Sequence, residues 1–182
     1  MKVLSIYGSP HEKGFTSQLH ELFCESIKQK HTVIKSYDIS IEPCIACHSC
    51  EDKASCIYDD MDEIYDALRE SSHIIISSPL YFSSVTSMLK KIIDRCQVIW
   101  EEERRGELSD IKRKAIFIST GGSDYKNMFL GAELPVRHLF ATLHGEYNKD
   151  DFIYLSGCDD LTSLPSEIIS KTKIISEKFF KL

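Results

Sequence analysis

The sequence predicts an α/β protein, an open, doubly wound sheet of five parallel strands with helices on both faces. Three observations predict it. Short β-branched runs alternate with longer amphipathic stretches along 182 residues, which is the pattern of βαβ units. The third and fourth runs centre on Ile74-Ile75-Ile76 and Ile116-Phe117-Ile118, apolar without alternation, as expected of strands covered on both sides. A chain of this length fits one core, so a large second module is excluded and residues 1–182 read as a single domain.

Strands are read at Val3–Tyr7, Thr32–Tyr37, His73–Ser78, Ala115–Ser119 and Phe152–Leu155. The first helix, Thr16–Gln29, places Leu19, Leu22, Phe23 and Ile27 at helical spacing. A second, Met61–Glu70, carries Met61, Ile64, Tyr65 and Leu68 on one face, and Asp60 three residues before Glu63 reads as a capping box. The long stretch Ser84–Trp100 repeats Val85, Met88, Leu89, Ile92, Ile93, Cys96, Ile99 and Trp100, a core-facing stripe. Two more helices follow, Ala132–Leu143 with Pro135 near its start and one from Pro165 to the end. Between the second strand and the second helix lies an inserted cysteine-rich loop, residues 43–57.

Hydrophobic residues make up 42% and charged residues 27%, enough to fill a core without disulfide staples. The net charge of −6, with no basic block, argues against nucleic acid as a partner. Apolar runs are only a few residues long, far short of the ~20 that cross a bilayer, so no membrane partner is expected. Met1 to Gly8 runs directly into the first strand without a signal segment, and a cytoplasmic location is expected.

In a doubly wound sheet, ligands bind beyond the carboxyl ends of the strands. Three loops there draw notice. After the first strand, Gly8-Ser9-Pro10-His11-Glu12-Lys13-Gly14-Phe15-Thr16-Ser17 carries hydroxyls into a helix start, where free N–H groups and partial positive charge suit a phosphate. It has neither the Gly-Lys-Ser/Thr ending of a nucleotide P-loop nor Gly-x-Gly-x-x-Gly, and a plain turn capped by Thr16 or Ser17 accounts for it equally well. After the third strand, Pro79-Leu80-Tyr81-Phe82-Ser83-Ser84 puts two aromatics where polar turn residues are usual; they suit a flat, largely apolar cofactor, or else cover the sheet end or a subunit contact. After the fourth, Thr120-Gly121-Gly122 offers backbone that a ligand can approach closely, or a simple Gly-Gly turn.

Four of seven cysteines, Cys44, Cys47, Cys50 and Cys56, fall within thirteen residues. Such tight repetition on one loop fits wrapping around an iron–sulfur cube, whereas zinc more often takes two separated Cys-x2-Cys pairs; a loop without metal is the third reading. His48 in the loop reads as solvent-facing, and the other six histidines show no metal-ligand spacing. Cys24, Cys96 and Cys158 read as small buried hydrophobes.

Taken in order, Gly8-Ser9-Pro10, Pro43-Cys44-Ile45-Ala46-Cys47-His48-Ser49-Cys50 with Cys56, Asp59-Asp60-Met61, Ser78-Pro79-Leu80-Tyr81-Phe82-Ser83-Ser84-Val85, Met88-Leu89-Lys90 and Ile93-Asp94-Arg95 carry a resemblance. The chain resembles the iron–sulfur flavoproteins of the flavodoxin-like, NAD(P)H-dependent FMN reductase superfamily, from Val3 to about Gly122. The resemblance implies a flavodoxin-like sheet and FMN held by the three loops. Ser9, Thr16 and Ser17 would hold the phosphate, with His11 where the family usually has Arg and Phe15 where it has Asn near the helix start. Pro79, Leu80, Tyr81, Phe82 and Ser83 would flank the ring, and Thr120, Gly121 and Gly122 would approach its polar edge.

The resemblance also implies a [4Fe–4S] cluster on Cys44, Cys47, Cys50 and Cys56, exchanging electrons with FMN, and no side chain acting as general acid or base. The partner would be a small redox donor or acceptor, NAD(P)H or ferredoxin, and the chain would form a homodimer or homotetramer, with the Trp100 to Arg105 region at a contact. Two rival readings are a cluster-free NAD(P)H-dependent FMN reductase of quinones, nitro or azo compounds, and a non-enzymatic zinc-binding module.

Overall fold

The computed structural model of the chain describes every residue except Gln29, Lys30, Ala54 and Leu182. Three strands make its centre: β1 (Val3–Tyr7), β3 (His73–Pro79) and β4 (Arg113–Thr120), with β2 (Thr32–Lys35) on the outer side of β1. All pair in parallel, in the order β2-β1-β3-β4. The expected fifth strand, Phe152–Leu155, is present over Ile153–Leu155, and a further two-residue strand that the pattern does not show precedes it. Two short segments share that edge of β4: β5 (Gly145–Glu146) pairs with its start and β6 (Ile153–Leu155) with its end. Between them the chain leaves the edge through a 3₁₀ turn at Lys149–Asp151, where Asn148 Oδ1 accepts from the Asp150 N–H at 3.1 Å. The second strand also ends sooner than Tyr37, because Asp38 N–H turns back to the Lys35 carbonyl at 3.0 Å.

The described residues form seven α-helices: α1 (Phe15–Cys24), α2 (Ser49–Lys53, in the inserted loop), α3 (Asp62–Glu70), α4 (Ser87–Arg95), α5 (Gln97–Arg104), α6 (Leu130–Thr142) and α7 (Ser166–Phe180). The first helix stops at Cys24, short of Gln29, which lies outside the described residues. The single helix read over Ser84–Trp100 is two. At Cys96, ψ is 7° and the N–H bonds both the Ile92 and Ile93 carbonyls at 3.1 Å, a tight turn between α4 and α5. Apolar spacing continues through the turn, so periodicity alone hides the change of axis. The capping box at Asp60 is also overturned. Met61 is the N-cap of α3 and has no side-chain cap bond, while Asp60 is engaged elsewhere.

Neighbouring residues of β4 show how the two faces are divided. Lys114 Nζ donates to the Phe179 carbonyl at 3.2 Å, on the side where α1 and α7 pack, with Phe23 and Phe179 edge to face at 5.3 Å. Arg113 points the other way and is fully buried; its guanidinium donates to the carbonyls of Leu68, Arg69 and Leu143, at the ends of α3 and α6. Helix C-termini carry unsatisfied carbonyls and partial negative charge, so they compensate a cation that burial would otherwise expel. Among the described residues, no helix is long and apolar enough to cross a membrane.

Two histidines are sealed into the α1/α7 side. His20 is fully buried, stacked on Tyr7 with ring centroids 3.6 Å apart, and its Nδ1 lies 2.7 Å from Ser77 Oγ. Burial, with a lesser contribution from His31, pushes its pKa down to about 3. His73, against Phe179, is pushed to about 4 by burial, assisted by Lys114 and the N-terminus. Both titrate lower folded than unfolded, so the unfolded chain binds more protons below about pH 6.5. Stability is therefore full above that pH and falls as pH drops towards 4. Urea unfolding between pH 7 and 4 should show this slope, and His20→Gln with His73→Gln should remove most of it.

Candidate functional site

The in-register strands bring three loops to one end of the sheet. Leu80 N–H donates to the Thr120 carbonyl at 2.8 Å, joining the third-strand and fourth-strand loops. The buried hydroxyls of Thr16 and Thr120 meet at 2.6 Å, joining the first loop to the fourth. Thr86 Oγ1 donates to the Gly8 carbonyl at 2.7 Å. Gly8 must be glycine here, because a Cβ would come 2.6 Å from the Ser77 carbonyl oxygen and 2.9 Å from Leu89.

The first loop ends in a helix start without a side-chain cap. Gly14 is the N-cap, so neither Thr16 nor Ser17 caps α1 as the plain-turn reading expected. Ser17 Oγ instead donates to the His11 carbonyl at 2.8 Å, and the His11 N–H donates to Ser9 Oγ at 3.1 Å. A Cβ on Gly14 would press on His11 Cβ at 3.3 Å and reach towards Ser9 Oγ at 4.0 Å, filling the hollow of the loop. The first-turn N–H groups thus face a small cradle ringed by hydroxyls, which suits a phosphate. Ser9 and Ser17 also border a cavity of about 270 Å³ that reaches across to Lys35.

At the third loop, Tyr81 and Ser84 bridge through paired main-chain hydrogen bonds of 2.9 and 3.0 Å. The two residues between them, Phe82 (φ 47°) and Ser83 (φ 60°), are both left-handed, the pair of angles a type I′ turn needs and Asn-Gly usually supplies. Phe82 is fully exposed and Tyr81 is exposed as well. Ser83 Oγ lies 2.8 Å from Tyr125 Oη, and Gly131 at the start of α6 packs so close that a Cβ there would sit 2.0 Å from the Ser83 carbonyl oxygen. Tyr125 and Gly131 buttress the turn from outside the motifs, and no local pattern marks them. The space left by the two glycines of the fourth loop is taken by this chain: a Cβ on Gly121 would meet Met128, and one on Gly122 the Asp159 carboxylate.

Away from this rim, Cys44, Cys47, Cys50 and Cys56 all border one cavity of about 370 Å³, closed on the far side by Tyr58, Arg95, Val98 and Glu101. Ala46 (φ 53°) and His48 (φ 61°) are left-handed on either side of Cys47, so the backbone wraps there at a steric cost of about 1 kcal/mol each. His48 is exposed, as expected, and its Nδ1 pairs with Glu51 at 2.6 Å. Among the described residues, no three His, Cys, Asp or Glu side chains converge on the position of a single ion. Asp60 joins this region to the fold: burial works against its charge, but the Glu42 N–H at 2.7 Å and Arg95 outweigh it and hold the carboxyl below its ordinary range. The part played by Arg95 was not legible in the sequence beyond its place in a motif.

The sequence of residues 1–152 matches the family model described as NADPH-dependent FMN reductase. The chain belongs to this family. An iron–sulfur flavoprotein of Methanocaldococcus jannaschii is 37% identical over 99 residues, 52% of this chain and 51% of the relative. One of Methanosarcina thermophila is 32% identical over 127 residues, 68% of this chain and 64% of the relative. The resemblance read from the motifs is thereby borne out, and this FMN reductase family chain spans about half to two thirds of the length of these two relatives. An azoreductase from Bacillus anthracis superposes with a TM-score of 0.69 over 98% of both chains at 15% identity, which shows the shared flavodoxin-like fold.

Phe82 and Ser83 are held left-handed at a steric cost that Asn-Gly would not carry. Phe82→Asn with Ser83→Gly should raise the stability of the protein by about 1 kcal/mol in urea titration. A loss of stability would instead mean that the Ser83–Tyr125 hydroxyl contact outweighs the relief of strain.

Proposed function

We propose that the protein is a redox flavoprotein that binds FMN at the three-loop rim and a [4Fe–4S] cluster in the four-cysteine cavity, and passes electrons between them. The observation that carries this reading is that all four motif cysteines border one cavity while the hydroxyl-ringed, uncapped start of α1 offers a phosphate cradle within the same fold. The donor set fits the chemistry: thiolates for iron, N–H groups and hydroxyls for a phosphate. Bound FMN supplies a carrier that accepts electrons in pairs and releases them singly, which suits a one-electron cluster.

In this reading Ser9, His11 and Ser17 with the first-turn N–H groups bind the phosphate. Thr16 supports them by bonding Thr120, which locks the first and fourth loops together. Pro79 to Ser83 flank the ring, and the outward Tyr81 and Phe82 exclude water from its face. Thr120, Gly121 and Gly122 line its polar edge. Cys44, Cys47, Cys50 and Cys56 ligate the cluster. The donor or acceptor is NAD(P)H or ferredoxin, and the active unit is a homodimer or homotetramer. Exposed Trp100, Leu130 and Leu134 form the apolar part of a contact surface.

Anaerobically purified protein should contain FMN, with about four iron and four sulfide per chain. Cys47→Ser should reduce iron to background and leave FMN binding, measured by fluorescence quenching, within about twofold. FMN without iron or sulfide would make the protein a cluster-free reductase. Zinc in place of iron, with no flavin bound, would make it a metal-binding module.

A further inference from the structure

We propose that Arg95 is the positioning residue of the four-cysteine cavity: it clamps both ends of the cysteine segment and sets, against Asp60, the charge felt by the group the thiolates hold. This rests on the cluster reading above. Arg95 is among the largest fully buried side chains, at 2% exposure. It stands at the end of α4, yet its guanidinium reaches the residues on either side of the inserted loop. Nη1 donates to the Glu42 carbonyl at 2.8 Å and Nη2 to the Tyr58 carbonyl at 3.3 Å, the residues that bracket Cys44 and Cys56. Asp60 accepts the Glu42 N–H and pairs with Arg95 Nη2 at 2.8 Å, so the main chain entering the loop is gripped at both its polar groups. The guanidinium also lies over the Tyr58 ring, 5.1 Å from its centroid.

Two buried donors in this region are left over, Arg95 Nε and Arg105 Nη2, and of the two arginines only Arg95 borders the cavity. Nε of Arg95 is buried and has no hydrogen-bond partner, while the side chain borders the cavity that the four cysteines line. A buried donor without a partner is costly unless an acceptor arrives, and thiolate or sulfide sulfur is the acceptor such a cavity would bring. The charges confirm the direction. Asp60, the counter-charge of Arg95, is partly open to solvent, whereas Arg95 is sealed. The other cation nearby, Arg105, which donates to the Cys50 carbonyl at 3.2 Å, is already set against Glu101 and Glu107. Arg95 therefore faces one carboxylate where Arg105 faces two, and it is the cation on the cavity wall beside the thiols. An added electron makes a cluster more negative, so this cation favours the reduced state and Asp60 opposes it.

The two substitutions should then act in opposite directions, which a purely structural role would not produce. Wild type, Asp60→Asn and Arg95→Gln are purified anaerobically as full chains. Iron and sulfide are counted, folding is checked by thermal unfolding, and the cluster is titrated with dithionite and followed by EPR. At the potential where the wild-type cluster is half reduced, Asp60→Asn should raise the reduced-to-oxidised ratio by about threefold or more at wild-type iron content. Arg95→Gln should lower that ratio by a similar factor, or lose iron while still unfolding cooperatively. An unchanged or lowered ratio in Asp60→Asn, or loss of its iron, overturns the proposal, as does Arg95→Gln with full iron and an unchanged ratio. Wild-type protein without iron and sulfide would overturn the cluster reading itself, a result separate from these.

Discussion

The constraint on which everything else depends is the register of β1, β3 and β4. Tyr7 lies beside Ser77, and Pro79 beside Thr120, so the three central strands end at neighbouring heights and their loops emerge side by side. Main-chain pairing does this without help from any ligand. The Thr16–Thr120 hydroxyl contact then ties together residues more than a hundred positions apart. A slip of one residue in a strand would exchange its two faces, and Arg113 and Lys114 would trade a pocket of helix-end carbonyls for the α7 side. The continuous burial of these strands makes such a slip expensive, and the rim inherits its rigidity from it.

Two fully buried arginines show how similar residues take different roles. Arg113 spends its donors on carbonyls at the ends of α3 and α6, and it is explained by the fold alone. Arg95 binds carbonyls on either side of the cysteine segment and keeps an unused donor beside a cavity. Left-handed, non-glycine backbone is distributed in the same way. Ala46 and His48 flank a cysteine, and Phe82 and Ser83 form the tip of an aromatic loop. Four of these residues lie in loops that present chemistry; Asn127 and His144, at the two ends of α6, are the others among the described residues, and no strand carries such an angle.

The structure departs from the sequence pattern at particular places. The helix read over Ser84–Trp100 breaks at Cys96, the short strand Gly145–Glu146 does not show in the pattern, and Asp60 abandons its cap to hold Glu42 and Arg95. Asp60 and Gly145–Glu146 are decided by partners distant in the chain, whereas the break at Cys96 is a local turn that the apolar spacing runs straight through. Buttresses such as Tyr125, Gly131 and Asp159 have no local signal at all, since they matter only through what they touch.

Local chemistry written along the chain determined the alternating elements, the buried central strands, the three strand-end loops and the four-cysteine spacing. These depend on side-chain pattern, and pattern is carried by near neighbours. The tertiary structure decided which thiols share a cavity, which arginine closes it, and which glycines are filled by the chain's own side chains. Such facts depend on distances between residues far apart in sequence, and those distances exist only once strand pairing and helix packing have set them.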